Sequence, residues 1–131
     1  MVSFAPVSEY LDSIGKQIVD SAYRVHSELG PGLLESVYEE CMIFDLIQKG
    51  LQVTSQVEVP ITFSEQPLKS KLRLDILVEG SVIIELKAVE KMIPLYQAQL
   101  LTYLRLSKKR LGYLINFNVP LIKNGIQRIV L

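Results

Sequence analysis

Asp75, Glu85 and Lys87 stand in the spacing Asp-x9-Glu-x-Lys within the apolar run KLRLDILVEGSVIIELKA of residues 71–88. Successive side chains of an extended strand face opposite ways. If 71–78 and 81–88 are two strands, Leu72, Leu74, Ile76 and Val78 line one face of the first while Arg73, Asp75 and Leu77 line the other. In the second strand Val82, Ile84, Leu86 and Ala88 form the apolar face, opposed by Ile83, Glu85 and Lys87. Pairing with the apolar faces together then puts Asp75, Glu85 and Lys87 on one side. Two carboxylates and an ammonium among Ile and Leu are costly to bury unpaired, so they are solvated, paired with one another or bound to a metal. Carboxylates with waters suit Mg²⁺. Such an ion activates water and offsets charge developing on a phosphodiester, with Lys87 orienting the water or balancing the anion. On pattern alone, a salt-bridged surface face is the commoner origin of such charges.

Parity also constrains the register. A tight two-residue loop at Glu79-Gly80 would pair Val78 with Ser81, set Asp75 opposite Ile84 and split the apolar faces. An even register opposes Val78 with Val82, Asp75 with Glu85 and Arg73 with Lys87. It leaves Glu79-Gly80-Ser81 as a three-residue connection in which Gly80 takes a positive φ, and a bulge after a two-residue turn restores the same parity.

The elements that must position these residues are legible around them. From Ser8 the positions Leu11, Ile14, Ile18, Ala22, Val25 and Leu29 recur at helical spacing, and Gly30-Pro31-Gly32 ends the pattern. A second helix is expected over 33–49, with Leu34, Val37, Cys41, Phe44 and Ile47 apolar and Gly50 supplying a left-handed C-terminal residue. Strands are expected over 52–59, 61–64, 71–78, 81–88, 111–117 and 126–131, with Pro60 and Pro67 as breaks. A third helix follows Pro94. The order ααββββαββ indicates an α/β or α+β sheet with helices on its faces. On the third helix Tyr96, Gln99 and Tyr103 form one stripe, which exposed polar residues or rim packing would also produce. Glu35 and Tyr38 are neighbours at the start of the second helix, where an acidic residue also complements the helix dipole.

The chain has 131 residues, 49% of them hydrophobic, with 14 basic and 14 acidic side chains. That suits one domain, 1–131, with one core, and leaves no net positive field to attract nucleic acid. The dense basic cluster is Arg105, Lys108, Lys109 and Arg110, either a solvated helix end or a phosphate-contacting rim. The single cysteine, Cys41, is expected to be a buried, inert thiol, and His26 a surface or capped residue. No apolar segment is long enough to span a bilayer, and the first residues lack the features of a secretory signal. Together these point to a cytoplasmic protein without membrane contact.

The segment Gly32-Leu33-Leu34-Glu35-Ser36-Val37-Tyr38 matches the pattern GxxExxY, and ELGPGLLESVYEEC, RLDILVEGSVIIELKAVE, QAQLLTYL and GYLINFNVP resemble the family of that name. That family lies within the PD-(D/E)XK nuclease superfamily. The resemblance implies a restriction-endonuclease-like fold, a central mixed sheet flanked by helices with an αβββαβ core. In it Asp75 stands for the motif aspartate, and Glu85 and Lys87 for the (D/E)XK pair. Leu74 replaces the proline of the superfamily's name. Gln99 and Tyr103 resemble the Gln-x-x-x-Tyr element of RecB-type exonucleases, and Glu35 the acidic residue those enzymes carry on an early helix. The implied activity is Mg²⁺- or Mn²⁺-dependent hydrolysis of DNA or RNA. Asp75 and Glu85 would be the metal ligands, Glu35 would add a water-mediated one, and Gln99 and Tyr103 would orient Lys87 or a phosphate. The alternative is an inactive binding or assembly module with the same fold. A nuclease acting only as a homo-oligomer or within a larger complex is a third possibility.

Overall fold

The computed structural model describes residues 6–131, and the signal-peptide reading of the first residues falls partly outside them. Helix α1, Glu9–Leu29, starts where the Ser8 hydroxyl accepts the Leu11 N–H at 3.2 Å, satisfying a main-chain donor that helix geometry leaves free. Ile14, Ile18, Ala22 and Val25 form its buried stripe. Helix α2, Glu35–Gln48, ends at Lys49 and Gly50, and Gly50 has φ +84° as its position requires. Tyr38, Met42 and Leu46 are its buried stripe, whereas Leu34, Phe44 and Ile47 are exposed. The apolar positions picked from the sequence therefore lie mostly off the buried face. α2 is apolar on more than one side, so periodicity alone did not select the side that meets the core.

Strands β1 (Val53–Phe63), β2 (Gln66–Val78), β3 (Val82–Lys87), β4 (Leu111–Asn116) and β5 (Ile126–Val130) form one sheet in that order. Helix α3 (Pro94–Ser107) crosses from β3 to β4, which pair in parallel, while all other neighbours are antiparallel. The sheet is therefore mixed, as expected for α+β architecture. Three strands, not four, precede α3. β1 runs through Pro60 because it is an edge strand, where a missing N–H is tolerated, and the register merely shifts between Pro60 and Thr62. β2 likewise begins at Gln66, ahead of Pro67.

Ile76, Val78, Val82, Ile84, Leu86, Leu111, Tyr113 and Ile115 pack with α1 and α2 on one side of the sheet. Leu72, Leu74, Ile83 and Leu114 pack with Leu100 and Leu104 of α3 on the other. Leu72 and Leu74 thus leave the face occupied by Ile76 and Val78, contrary to simple alternation. The side changes at Asp75. There the β1–β2 ladder skips its facing residue Gln56, whose φ is +52°, a local irregularity that turns a strand.

Candidate active site

The β2–β3 hairpin has the even register. Val78 pairs with Val82, Leu77 with Ile83 and Ile76 with Ile84, and Glu79 and Gly80 both have positive φ, at +53° and +59°. Ser81 N–H donates to Val78 carbonyl at 3.0 Å, closing a two-residue turn with Ser81 as the extra residue. One step further the register sets Asp75 opposite Glu85, and there the main-chain ladder stops. Asp75 N–H donates to Glu85 Oε1 at 3.2 Å, and Leu86 N–H donates to Asp75 Oδ2 at 2.9 Å. Carboxylates thus take the place of main-chain acceptors, and the two acidic groups are held together where the strands part. The expected Arg73–Lys87 pair does not form; Arg73 turns to Glu58 of β1, 3.7 Å away.

Glu85 is only 6% exposed. Burial and the Asp75 charge push its carboxyl up to about 9, against the opposing influence of Lys87. Without a cation, a buried carboxylate beside another holds its proton instead of ionising. This donor set, two hard oxygen ligands oriented by main-chain amides, fits a divalent cation that would replace the proton.

By alternation from Ile83, Glu85 and Lys87 face α3. The Lys87 ammonium stands 4.4 Å from the centre of the Tyr96 ring, a cation–π contact. Two turns later Tyr103 has its hydroxyl pushed up, first by burial and then by Glu85 and Asp75. Gln99 lies half-buried between them in sequence. The stripe on α3 therefore borders the site, with Tyr96 at Lys87 and Tyr103 in the field of the acidic pair.

Glu35 arrives differently from the expected route over the charged face, because α2 packs on the opposite side of the sheet. Its carboxyl is raised by desolvation and then by Asp75, and lowered by Lys87, so it shares their field where β2 and β3 separate. Among the described residues, no three His, Cys, Asp or Glu side chains converge into a ready metal cluster. Tyr38, three residues on, is fully buried and turns inward. Its hydroxyl donates to Gly30 carbonyl at 2.6 Å and accepts Leu33 N–H at 3.1 Å, while its ring stacks on Phe117 at 4.5 Å. In this GxxExxY segment, Gly32 supplies φ +98° for the turn, Tyr38 clamps the loop, and Glu35 opens the helix.

Sequence reasoning passed over Asn116. It is buried at the end of β4, opposite Lys87 in the parallel ladder. Its amide donates to Val89 carbonyl at 3.0 Å, and its oxygen accepts Val89 N–H and Asn118 N–H, each at 3.1 Å. Phe117 N–H adds a bond to Lys87 carbonyl at 3.0 Å. Together these bonds secure the chain leaving Lys87 for α3. The one available signal was an asparagine inside the apolar segment LINFN. His26 also differs from expectation: it is buried, bonded through Nε2 to Val119 carbonyl at 2.7 Å and stacked on Phe117. Cys41 is half-buried with its thiol raised by burial. Lys108 caps the C-terminus of α3 and Arg110 Nε donates to Leu131 carbonyl, so that basic cluster has a structural place at a helix end.

Among the described residues, no helix is long and apolar enough to cross a membrane. Comparison with curated proteins and with solved structures gave no significant match. The family profile described as PD-(D/E)XK nuclease superfamily, whose members generally use divalent metals, matches residues 12–129. That span contains the whole sheet except Val130, all three α-helices bar the first turn of α1, and the Asp75, Glu85 and Lys87 constellation, so the chain belongs to the PD-(D/E)XK nuclease superfamily.

Proposed function

We propose that this protein is a divalent-metal-dependent nuclease that hydrolyses phosphodiester bonds of DNA or RNA. The observation that carries the reading is the buried Glu85 carboxyl beside Asp75, each held by a main-chain amide of the other strand or its neighbour. So costly a pair has a ready use as a cation seat. Asp75 and Glu85 would be the direct ligands of Mg²⁺ or Mn²⁺, and Glu35 would act through water. When bound, the cation supplies Lewis acidity and a nucleophilic water at neutral pH.

The protein's own side chains do the rest. Lys87 brings its ammonium beside the carboxylates and offsets the anion that builds up on the phosphoryl oxygens. Tyr96 holds the ammonium through its ring face, which leaves the Lys87 N–H donors directed by geometry instead of by a salt bridge. Tyr103 and Gln99 offer hydrogen bonds along the same helix, to Lys87 or to a phosphate. Asn116 positions Lys87 through the main chain and takes no part in the chemistry.

The test is direct. Purified protein is incubated with Mg²⁺ or Mn²⁺ and single- and double-stranded DNA and RNA. Cleavage that disappears on chelation and in Asp75→Ala supports the reading. No cleavage of any substrate, with no metal binding that depends on Asp75, would favour a binding or assembly module.

A further inference from the structure

β2 pairs with β3 only over Ile76–Val78, yet it continues outward to Gln66 with β1 as its only partner among the described residues. Residues 57–74 therefore form a two-stranded arm that extends directly from Asp75. The arm is two-sided. Val57, Val59, Ile61, Leu72 and Leu74 pack with α3. Lys69, Lys71 and Arg73 are exposed and, with Glu58, line one surface cavity of about 370 Å³. Glu58 reaches Lys71 at 3.4 Å and Arg73 at 3.7 Å, both pairs being more than half exposed, so neither is held strongly. Three cations stand against one carboxylate, and among the described residues Lys69 has no ion-pair partner. This concentration is hidden in the sequence. The chain is neutral overall, and the three cations alternate with Ser70 and Leu72.

Building on the nuclease reading, we propose that this arm is a binding site for the phosphate backbone of the nucleic-acid substrate and leads the strand to Asp75. Alternate residues of an extended strand are about 7 Å apart. That is roughly every second phosphate of one duplex strand measured along its axis. The cationic face thus presents charges in a line that ends at Arg73, two residues before Asp75, on the side of the sheet away from α3. It also counters the repulsion that the Asp75 carboxylate exerts on an approaching phosphodiester. The packing of the opposite face on α3 keeps the row straight and oriented. The basic cluster of Arg105, Lys108, Lys109 and Arg110 has no such alignment, because it lies at the end of α3 where β4 starts opposite Val82, at the far end of β3 from Lys87.

The experiment measures equilibrium binding by fluorescence anisotropy with chelator present, so that no cleavage occurs. Probes are labelled duplex DNA, single-stranded DNA and duplex RNA, over about 50 to 200 mM salt. Lys69→Ala/Lys71→Ala is compared with wild type and with Lys16→Ala/Lys123→Ala, which removes the same charge elsewhere. The arm variant should bind on the order of tenfold more weakly, and its slope of log affinity against log salt should fall by about 1.8 for a duplex or about 1.4 for a single strand. The size of the fall and the probe affected identify the strandedness, and the control should match wild type. An unchanged slope in a protein that still binds and cleaves nucleic acid overturns the arm alone. A wild type that neither binds nor cleaves any probe overturns both the arm and the nuclease reading. Both lysines are exposed, and a thermal melt of the variant separates lost binding from lost folding.

Discussion

Asp75 donates its main-chain N–H to the Glu85 carboxylate at 3.2 Å, at the first position where β2 and β3 cease to pair through their main chains. The proximity makes each charge a liability to the other in the absence of a cation, and it has a consequence for stability. Glu85 holds its proton in the folded state up to about pH 9, whereas an unfolded glutamate loses it near 4.3. Between those values the folded state binds more protons, so stability falls as pH rises. Metal-free wild type should therefore lose several degrees of melting temperature from pH 6 to 9. Glu85→Gln should flatten that dependence, and thermal melts across the range decide it.

Division of labour between Asp75 and Lys87 is testable with the same proteins. Asp75→Ala should lose both calorimetric Mn²⁺ binding and cleavage. Lys87→Ala should keep metal affinity, or tighten it slightly, because a cation is removed from the field. Its cleavage should fall roughly a hundredfold or more. Equal loss of metal affinity in the two variants would contradict the assignment.

Tyr38 is expected to act on the site from inside the core. Tyr38→Phe keeps the stack on Phe117 but leaves Gly30 carbonyl and Leu33 N–H without their partner. The loss should cost about 1–3 kcal/mol in urea denaturation. Tyr38→Ala also opens a cavity and should cost about 3–5 kcal/mol. A Phe variant as stable as wild type would show that the hydroxyl does not hold the loop ahead of Glu35.

A second pH dependence runs the other way at acid pH. Burial would raise the Asp45 carboxyl, but hydrogen bonds from Lys49 at 2.5 Å, Ser21 at 2.6 Å and Arg24 at 3.0 Å outweigh it and hold it at about 2. Because the folded value lies below the unfolded one, near 3.9, this stabilisation is complete above the unfolded value and is lost as pH falls toward 2. Asp45→Asn should destabilise the protein by about 1–3 kcal/mol at neutral pH, with the difference from wild type shrinking below about pH 4. Denaturation at pH 7 and pH 3 measures both.

What the sequence determined by itself was whatever depends on a short repeat. Alternation over residues 71–88 was enough to oppose Val78 to Val82, and so Asp75 to Glu85, because a one-residue slip would have moved an entire apolar set to the other face of the sheet. The helical period and the Ser8, Gly50 and Pro94 signals placed three helices with small errors at their ends. Tertiary structure decided whatever depends on a partner distant in sequence. It chose Tyr38, Met42 and Leu46 as the inner side of α2, because the sheet and α1 lie there. It carried β1 through Pro60, because among the described residues no strand pairs with its outer edge. It turned Leu72 and Leu74 toward α3 and thereby gathered Lys69, Lys71 and Arg73 beside Glu58. Local periodicity states which residues alternate, but only packing against another element determines which way each set faces.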